Sequence, residues 1–321
     1  MIILITGVHG FVGTNLVNYL SKDNIIYGLD IISPTKDGVR FTFSWDYLDK
    51  EDGLPEIDAI IHLAGKAHDT KNKAAAETYF KVNRDLTIKI FDYFCSHPNI
   101  KKFVFFSTAK AAADKVDGIL TEDIVPAPFG PYGESKIAAE KYILGSMQNR
   151  PDKFNDRGVY IFRPCMIHGP GNKGNLNLLY NVVRKGIPWP LGAFDNRRTF
   201  TSVENICFAV NGVLTKDVES GIYNMGDDEA LSTNELIEEI CKSLGKKPHI
   251  WKLPIGMMNG VAKIGDVLHL PLNSERLRKL TEDYVSSNAK IKKALGVESM
   301  PVDAREGLKV TLDSFKYAYH Q

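Results

Sequence analysis

The chain has 321 residues, 44% of them hydrophobic and 25% charged, an ordinary composition for a soluble globular protein of one large or two intimate domains. Forty Lys and Arg against 39 Asp and Glu leave a formal charge of +1. No global field therefore draws it to nucleic acid or to an anionic membrane, and any anionic ligand must be met by local positive groups. Cys95, Cys165, Cys207 and Cys241 form no CxxC pair and read as core thiols, with no metal framework. The expectation is a cytoplasmic protein without a signal peptide, because no apolar run reaches about 18 residues and the N-terminus reads as a strand.

The first strand is MIILIT, Met1–Thr6, followed by Gly7, Gly10 and Gly13 in GVHGFVG and a helix through Leu16, Val17 and Leu20. A strand turning through glycines into a helix leaves backbone N–H groups and the positive helix end facing one spot, where a pyrophosphate can sit. Gly7 permits the turn, Gly10 the approach to phosphate, and Gly13 the packing of helix on strand. Phe11 and Val12 lie in the same first turn. IIYGLD (25–30) is the second strand, and its Asp30 is placed to accept the adenosine ribose hydroxyls. Its charge would repel a 2′-phosphate, which favours NAD over NADP.

Val39, Phe41 and Phe43 make a short third strand ending near Asp46, and AIIHLAG (59–65) is a fourth, apolar enough to be buried on both faces. A long helix is expected over Ala74–Cys95, stopped by His97-Pro98. FVFFST (103–108) is the fifth strand, a helix begins near Tyr132, and VYIFRP (159–164) is the sixth. Right-handed crossovers make this an α/β fold, a Rossmann-type doubly wound parallel sheet with its ligand crevice beyond the carboxyl ends of the strands. Residues 1–164 would form this unit.

Residues 165–321 would form a smaller mixed α/β substrate-binding part, with segments from about 198 to 225 returning to the main unit. HGPGNKGN and GIPWPLG are loops flanking a helix near 176–185, and RTFTSV (198–203) reads as a short strand. Ser232 and Glu235 form a capping box for a helix reaching Leu244. HIWKLP (249–254) is another possible strand, and three helical stretches follow.

Tyr132 and Lys136 of YGESK stand one helical turn apart on one face. A phenol with an ordinary pKa near 10 is a poor base unless a neighbouring cation stabilises phenolate, and the lysine supplies that cation. The pair can exchange a proton with a sugar hydroxyl while hydride moves to or from a nicotinamide. Ser107 and Thr108 end the fifth strand, where a hydroxyl can meet the reacting oxygen.

GVHGFVG, HLAG (62–65), FFST, YGESK and RPCMIHGPG (163–171) occur in the order of the extended short-chain dehydrogenase/reductases, and the chain resembles their NAD-dependent epimerase/dehydratase family along essentially its whole length. The resemblance implies Tyr132 as catalytic acid/base, Lys136 as its partner and Thr108 as the catalytic hydroxyl. It implies cofactor contacts from the glycine loop, Asp30, Asp46 and Tyr47 (adenine), Leu63, Ala64 and Gly65 (pyrophosphate), Ser107 and Arg163. Asn83 matches the Asn of the family's VN motif and is expected to tie down a loop. For the sugar-nucleotide side it implies Asn175 and Arg198, with Arg197 second, against the diphosphate, and it leaves Lys110 open between substrate and solvent. A guanidinium fork fits phosphate oxygens bidentately.

Within the family the run PLGAFDNRR looks most like the UDP-glucose 4-epimerase branch. Sugar-nucleotide dehydratases carry Asp-Glu after the catalytic Thr, but Ala109-Lys110 stands here, which disfavours a 4,6-dehydratase. Ala111-Ala112-Ala113 replaces the Val-Tyr-Gly of many epimerases, and His168 replaces a common Tyr and reads as a turn residue. The implied function is an NAD-dependent UDP-hexose 4-epimerase. The alternatives are an NAD(P)H-dependent reductase of UDP-4-keto-6-deoxyhexoses in polysaccharide biosynthesis and, from another class, a non-catalytic NAD(P) sensor. The partners implied are a UDP-sugar and a second copy in a homodimer, with neither nucleic acid nor membrane.

Overall fold

A computed structural model describes residues 1–50, 53–67, 75–172, 174–268 and 272–318. The strands in chain order are β1 (Ile2–Thr6), β2 (Ile25–Leu29), β3 (Phe41–Phe43), β4 (Ala59–His62), β5 (Lys102–Phe106), β6 (Ile119–Leu120), β7 (Gly158–Pro164), β8 (Met166–His168), β9 (Phe200–Ser202), β10 (Gly221–Met225) and β11 (Val285–Ser286). The helices of the first half are α1 (Phe11–Leu20), α2 (Ala76–Tyr79), α3 (Leu86–Ser96), α4 (Ala109–Ala112) and α5 (Gly130–Asn149). Those of the second half are α6 (Asn175–Arg184), α7 (Val203–Thr215), α8 (Thr233–Ser243), α9 (Ile255–Leu268), α10 (Ser274–Thr281), α11 (Ala289–Leu295) and α12 (Ala304–Ala318).

Seven strands form one sheet in the order β10-β7-β5-β4-β1-β2-β3, and every pairing is parallel. The order reverses between β1 and β4, so the loops after these two strands diverge and leave a crevice at their carboxyl ends. Alternation within the strands sorts the two faces. Ile3 and Ile5 of β1 pack with Leu16 and Val17 of α1 and Val210 of α7, whereas Leu4 packs with Phe91 and Phe94 of α3 and Ile143 of α5. Each interior strand is therefore apolar on both sides. A separate core around Tyr180, Leu236, Ile240, Leu308 and Phe315 holds the second part together.

Several elements differ from the sequence expectations. The helix expected from Ala74 begins at Ala76 among the described residues, Ala74 itself lying outside them, and it contains a π-helical turn over Phe80–Asp85 between α2 and α3. One extra residue in a turn leaves no mark on hydrophobic periodicity. Of the 198–225 stretch, β10 joins the main sheet beside β7 and α7 packs on its face, but β9 pairs with β8 in a separate two-stranded sheet. Residues 249–254 make only isolated bridges, Trp189 to Ile250 and Leu191 to Lys252. Among the described residues four helices, not three, follow them.

The capping box on α8 is present: the Ser232 hydroxyl accepts from the Glu235 N–H at 3.1 Å, and the Glu235 carboxylate accepts from the Ser232 N–H at 2.7 Å. No helix among the described residues is long and apolar enough to cross a membrane.

Candidate active site

The two loops at the switch point touch. Gly7 sits at φ +68°, and a Cβ there would lie 2.9 Å from the Ala64 nitrogen. A Cβ on Gly13 would lie 2.5 Å from the Gly7 carbonyl oxygen, so α1 rests directly on the turn. Gly10 caps α1 without a side-chain hydrogen bond, leaving the first N–H groups of the helix, from Phe11 and Val12 onward, directed at the crevice. Asp30 closes the far side: its carboxylate accepts from the His9 N–H at 3.1 Å and the Ile31 N–H at 2.7 Å. The cradle fits a dinucleotide: a glycine-lined turn, an uncapped helix N-terminus and a carboxylate just after the neighbouring strand β2. Lys36, which the motifs do not mark, donates to Thr14 at 2.7 Å near Asp30, and burial lowers its pKa while Asp30 raises it.

A buried hydrogen-bonded chain ties this cradle to the helix bearing Tyr132. The Thr6 hydroxyl accepts from the Leu63 and Ala64 N–H groups at 3.2 and 3.0 Å, which leaves its proton for His62 Nδ1 at 2.7 Å. His62 Nε2 then donates to Thr87 Oγ1 at 2.9 Å, and Thr87 donates to the Asn83 carbonyl at 2.7 Å. This chain requires neutral His62 with the proton on Nε2. Burial, and then the Lys136 cation, hold its pKa well below the ordinary value. Asn83 sits in the π turn, accepts from the Lys66 N–H at 2.7 Å and donates to Ser135 at 3.0 Å. It thus holds the loop of Leu63, Ala64 and Gly65 against α5.

Tyr132 is half-buried in the first turn of α5, its ring edge-on to Tyr79 with centroids 6.4 Å apart. Thr108 caps α4 and accepts from the Lys110 N–H at 3.3 Å, and its hydroxyl lies close enough to the phenol to lower the phenol's pKa. Gly133 makes this approach possible, because a Cβ there would lie 2.6 Å from the Lys110 carbonyl oxygen. Lys136 is buried, donates to the Phe106 carbonyl at 2.7 Å and lies 4.9 Å from the Phe105 ring centre. A Cβ on Gly65 would come within 3.1 Å of its Nζ, so the ammonium faces the cofactor loop. Burial lowers its pKa to about 8, with Glu140 pulling upward. The sequence reading has the lysine depressing the phenol. Burial instead raises the phenol above its ordinary value, and the hydrogen bond from Thr108 offsets part of the rise.

Two expected cofactor residues serve other groups. Arg163 is 1% exposed and donates to Glu140, itself fully buried, with Nη2 at 2.5 Å. The Ser107 hydroxyl donates to the same carboxylate. Residues at β-strand ends read as crevice-facing, but strand alternation turns these two toward the interior beneath α5, where a buried charge must be paired. Asp46 and Tyr47 lie in a 3₁₀ turn at Trp45–Asp49, after β3, and the Asp46 carboxylate is engaged by Ser44 and by Lys50 at 2.9 Å.

On the opposite wall the two arginines of NRR separate. Arg197 is exposed and pairs with Glu235 at 3.0 Å, away from the crevice. Arg198 lies between Leu231 and Tyr284 in the backbone, and its guanidinium donates to the Lys279 carbonyl. Its pKa is lowered by burial and raised by Glu282, Cys165 and Tyr284. Lys110 is half-buried and donates to Asp114 Oδ1 at 3.0 Å, with its Nζ 4.6 Å from the Tyr284 ring centre. Arg278 of α10, which sequence motifs did not mark, reaches across to Asp114 at 3.2 Å. Only the tertiary structure brings residues 114 and 278 together. Asn175 is exposed at the N-terminus of α6, and the Asn15 amide holds the preceding loop through the Pro170 carbonyl at 3.0 Å. His168 is buried, bonded to Thr311 at 2.9 Å and 3.4 Å from Asp227, a structural position away from the phenol.

A parallel sheet with a glycine cradle at its switch point, and a Thr–Tyr–Lys set beside it, defines a dinucleotide-dependent enzyme of the short-chain dehydrogenase/reductase class. The NAD dependent epimerase/dehydratase family matches residues 3–226, and the chain belongs to that family. It is 29% identical over 339 aligned positions to UDP-glucose 4-epimerase of Vibrio cholerae, covering 98% of this chain and 96% of the relative. It is 29% identical over 269 positions to N-acetyl-α-D-glucosaminyl-diphospho-ditrans,octacis-undecaprenol 4-epimerase of Escherichia coli O157:H7, covering 80% and 77%. The crystal structure of UDP-glucuronic acid 4-epimerase from Bacillus cereus in complex with NAD shares the fold, with a TM-score of 0.75, 22% identity and coverage of 99% and 100%.

Three outcomes test this site. Gly13→Ala should weaken NAD binding at least about tenfold by calorimetry, since the new methyl displaces the turn. Glu140→Ala should cost about 3–5 kcal/mol in denaturant unfolding, because it strands the Arg163 charge in the interior. The Lys136 proton is lost as pH rises through about 8, so kcat/KM should fall above that pH if the cation is required.

Proposed function

We propose that the protein inverts the configuration at C4 of a UDP-linked hexose. The observation that carries this reading is the Tyr132 phenol at the start of α5 beside the Thr108 hydroxyl that caps α4, with the Lys136 ammonium in the same wall of the crevice. Tyr132 takes the proton of the 4-hydroxyl, and Thr108 donates to the same oxygen as charge develops on it. Lys136 supplies a positive charge in the same wall and a donor toward the cofactor ribose. Bound NAD supplies a hydride acceptor that also returns the hydride. The 4-keto sugar turns in the pocket before Tyr132 gives the proton back.

Arg198, Arg278 and Asn175 are the groups we assign to the diphosphate. The net charge of the chain is near zero, so recognition of that dianion rests on local cations. Arg278 and Lys110 exchange part of their pairing with Asp114 for the ligand. Ala109 and Lys110 provide no acid/base pair for elimination of water, consistent with inversion rather than dehydration. The resemblance to sugar-nucleotide enzymes of glycan assembly supports a role in supplying polysaccharide precursors from the cytoplasm. It also implies a homodimer.

The test is to add UDP-galactose to the purified protein with NAD and follow the sugar by NMR. Interconversion with UDP-glucose is expected, and Tyr132→Phe should slow it at least about a hundredfold. Failure of every UDP-hexose, together with NADH oxidation by a UDP-4-keto-6-deoxyhexose, would replace epimerase by reductase. A Tyr132→Phe protein with undiminished turnover would remove the phenol from the chemistry.

A further inference from the structure

We infer that α9 and the lysine-rich segment leading into it form a docking surface for an anionic phospholipid bilayer. Helix α9 buries only Met258, Ala262 and Gly265, a stripe one residue wide at i, i+4 and i+7. Met257, Val261, Ile264, Val267 and Leu268 all stay exposed, Val267 at 76%. At 100° per residue these five fall on one continuous arc of about 120°, and Asn259, Lys263 and Asp266 make a separate polar wedge. Trp251, 55% exposed, stands four residues before the helix. Large apolar side chains grouped on one helix face need a partner that removes them from water.

Charge selects the partner. Residues 242–265 contain five exposed lysines and no Asp or Glu; Lys242 pairs with Glu239 at 3.6 Å and Lys246 donates to the Arg184 carbonyl at 2.6 Å, while Lys247, Lys252 and Lys263 form no ion pair among the described residues. The first acid beyond them, Asp266, has its carboxylate occupied by the Ser274 N–H at 2.9 Å and the Ser274 hydroxyl. A second copy docked by the same patch would set these lysines against their own copies, which an isologous contact cannot avoid. An anionic lipid surface takes both components, the apolar arc at acyl depth and the ammonium groups at the headgroups, with Trp251 between them. The helix is 14 residues long, too short to span, so it lies in the interface plane. The same basic segment lines an apolar cavity of about 240 Å³ walled by Ile187, Trp189 and Ile237.

The location matters for chemistry. Helix α10 packs on α9 and carries Arg278 to Asp114 beside Thr108, so the crevice lies one helix away from the docking face. The near-neutral total charge conceals this local run of lysines.

The test uses the full chain in cosedimentation with phosphatidylcholine vesicles and with vesicles holding about one-third phosphatidylglycerol. Binding to the anionic vesicles should exceed binding to the neutral ones at least about tenfold, and Ile264→Glu combined with Val267→Glu should remove at least about tenfold of it. In the unaltered chain, bromine-labelled anionic lipid should quench tryptophan emission, and Trp251→Phe should abolish that quenching. The second readout decides the matter even if the double variant misfolds. Absence of binding to anionic vesicles, binding unaffected by the folded double variant, quenching that survives Trp251→Phe, or a dimer that the double variant alone dissolves would each overturn the inference.

Discussion

Everything at the centre of this molecule depends on how closely the turn after β1 approaches the loop after β4. The two meet backbone to backbone at Gly7 and Ala64, with no room for a methyl group between them. The Thr6 hydroxyl bridges them from below, accepting from both N–H groups of the second loop. Because that oxygen is saturated as an acceptor, its proton has one destination, His62, and the tautomer of the histidine follows. The chain then runs through Thr87 to the π turn, where Asn83 holds the cofactor loop and α5 in register. A hydroxyl on the first strand thereby fixes the distance between a glycine cradle and a phenol.

Electrostatics work against that arrangement and are balanced locally. Lys136 is buried beside neutral His62, so its own cation is costly and its pKa falls to about 8. Glu140 lies beneath it and is fully buried, but most of its charge is met by the Arg163 fork and the Ser107 hydroxyl. The result is an ammonium poised near neutrality, facing the loop where a dinucleotide would lie. The phenol is likewise raised by its surroundings and meets a donor in Thr108. Proton transfer between such a pair and a sugar hydroxyl is closer to balanced than either ordinary pKa suggests.

The second part of the chain contributes Arg198 and Arg278 and the exposed apolar face of α9. Arg198 is placed by a short backbone run between Leu231 and Tyr284, and Arg278 by a helix whose other side rests on α9. One helix layer therefore separates the crevice from the least covered apolar surface on the second part. A proposed lipid contact and the proposed diphosphate contact would share that layer.

Short-range pattern made much of this legible. Alternation and apolar runs marked the strands of the sheet, the glycines and Asp30 marked the cradle, and the one-turn spacing of Tyr132 and Lys136 put them on one face. These signals depend on neighbours within a turn or a strand, so they survive in the linear chain. Strand alternation beneath a helix, which turned Ser107 and Arg163 away from the crevice toward Glu140, depends on the register of three elements and could not be read locally. The same holds for the π turn at Asn83 and the joining of β10 to β7. The meeting of Asp114 with Arg278 needs the chain to close over 164 residues, and the exposure of α9 depends on what fails to pack against it. Sequence determined which elements form and which groups are available; tertiary structure decided which of those groups face one another, because burial and pairing are properties of the closed fold rather than of any segment.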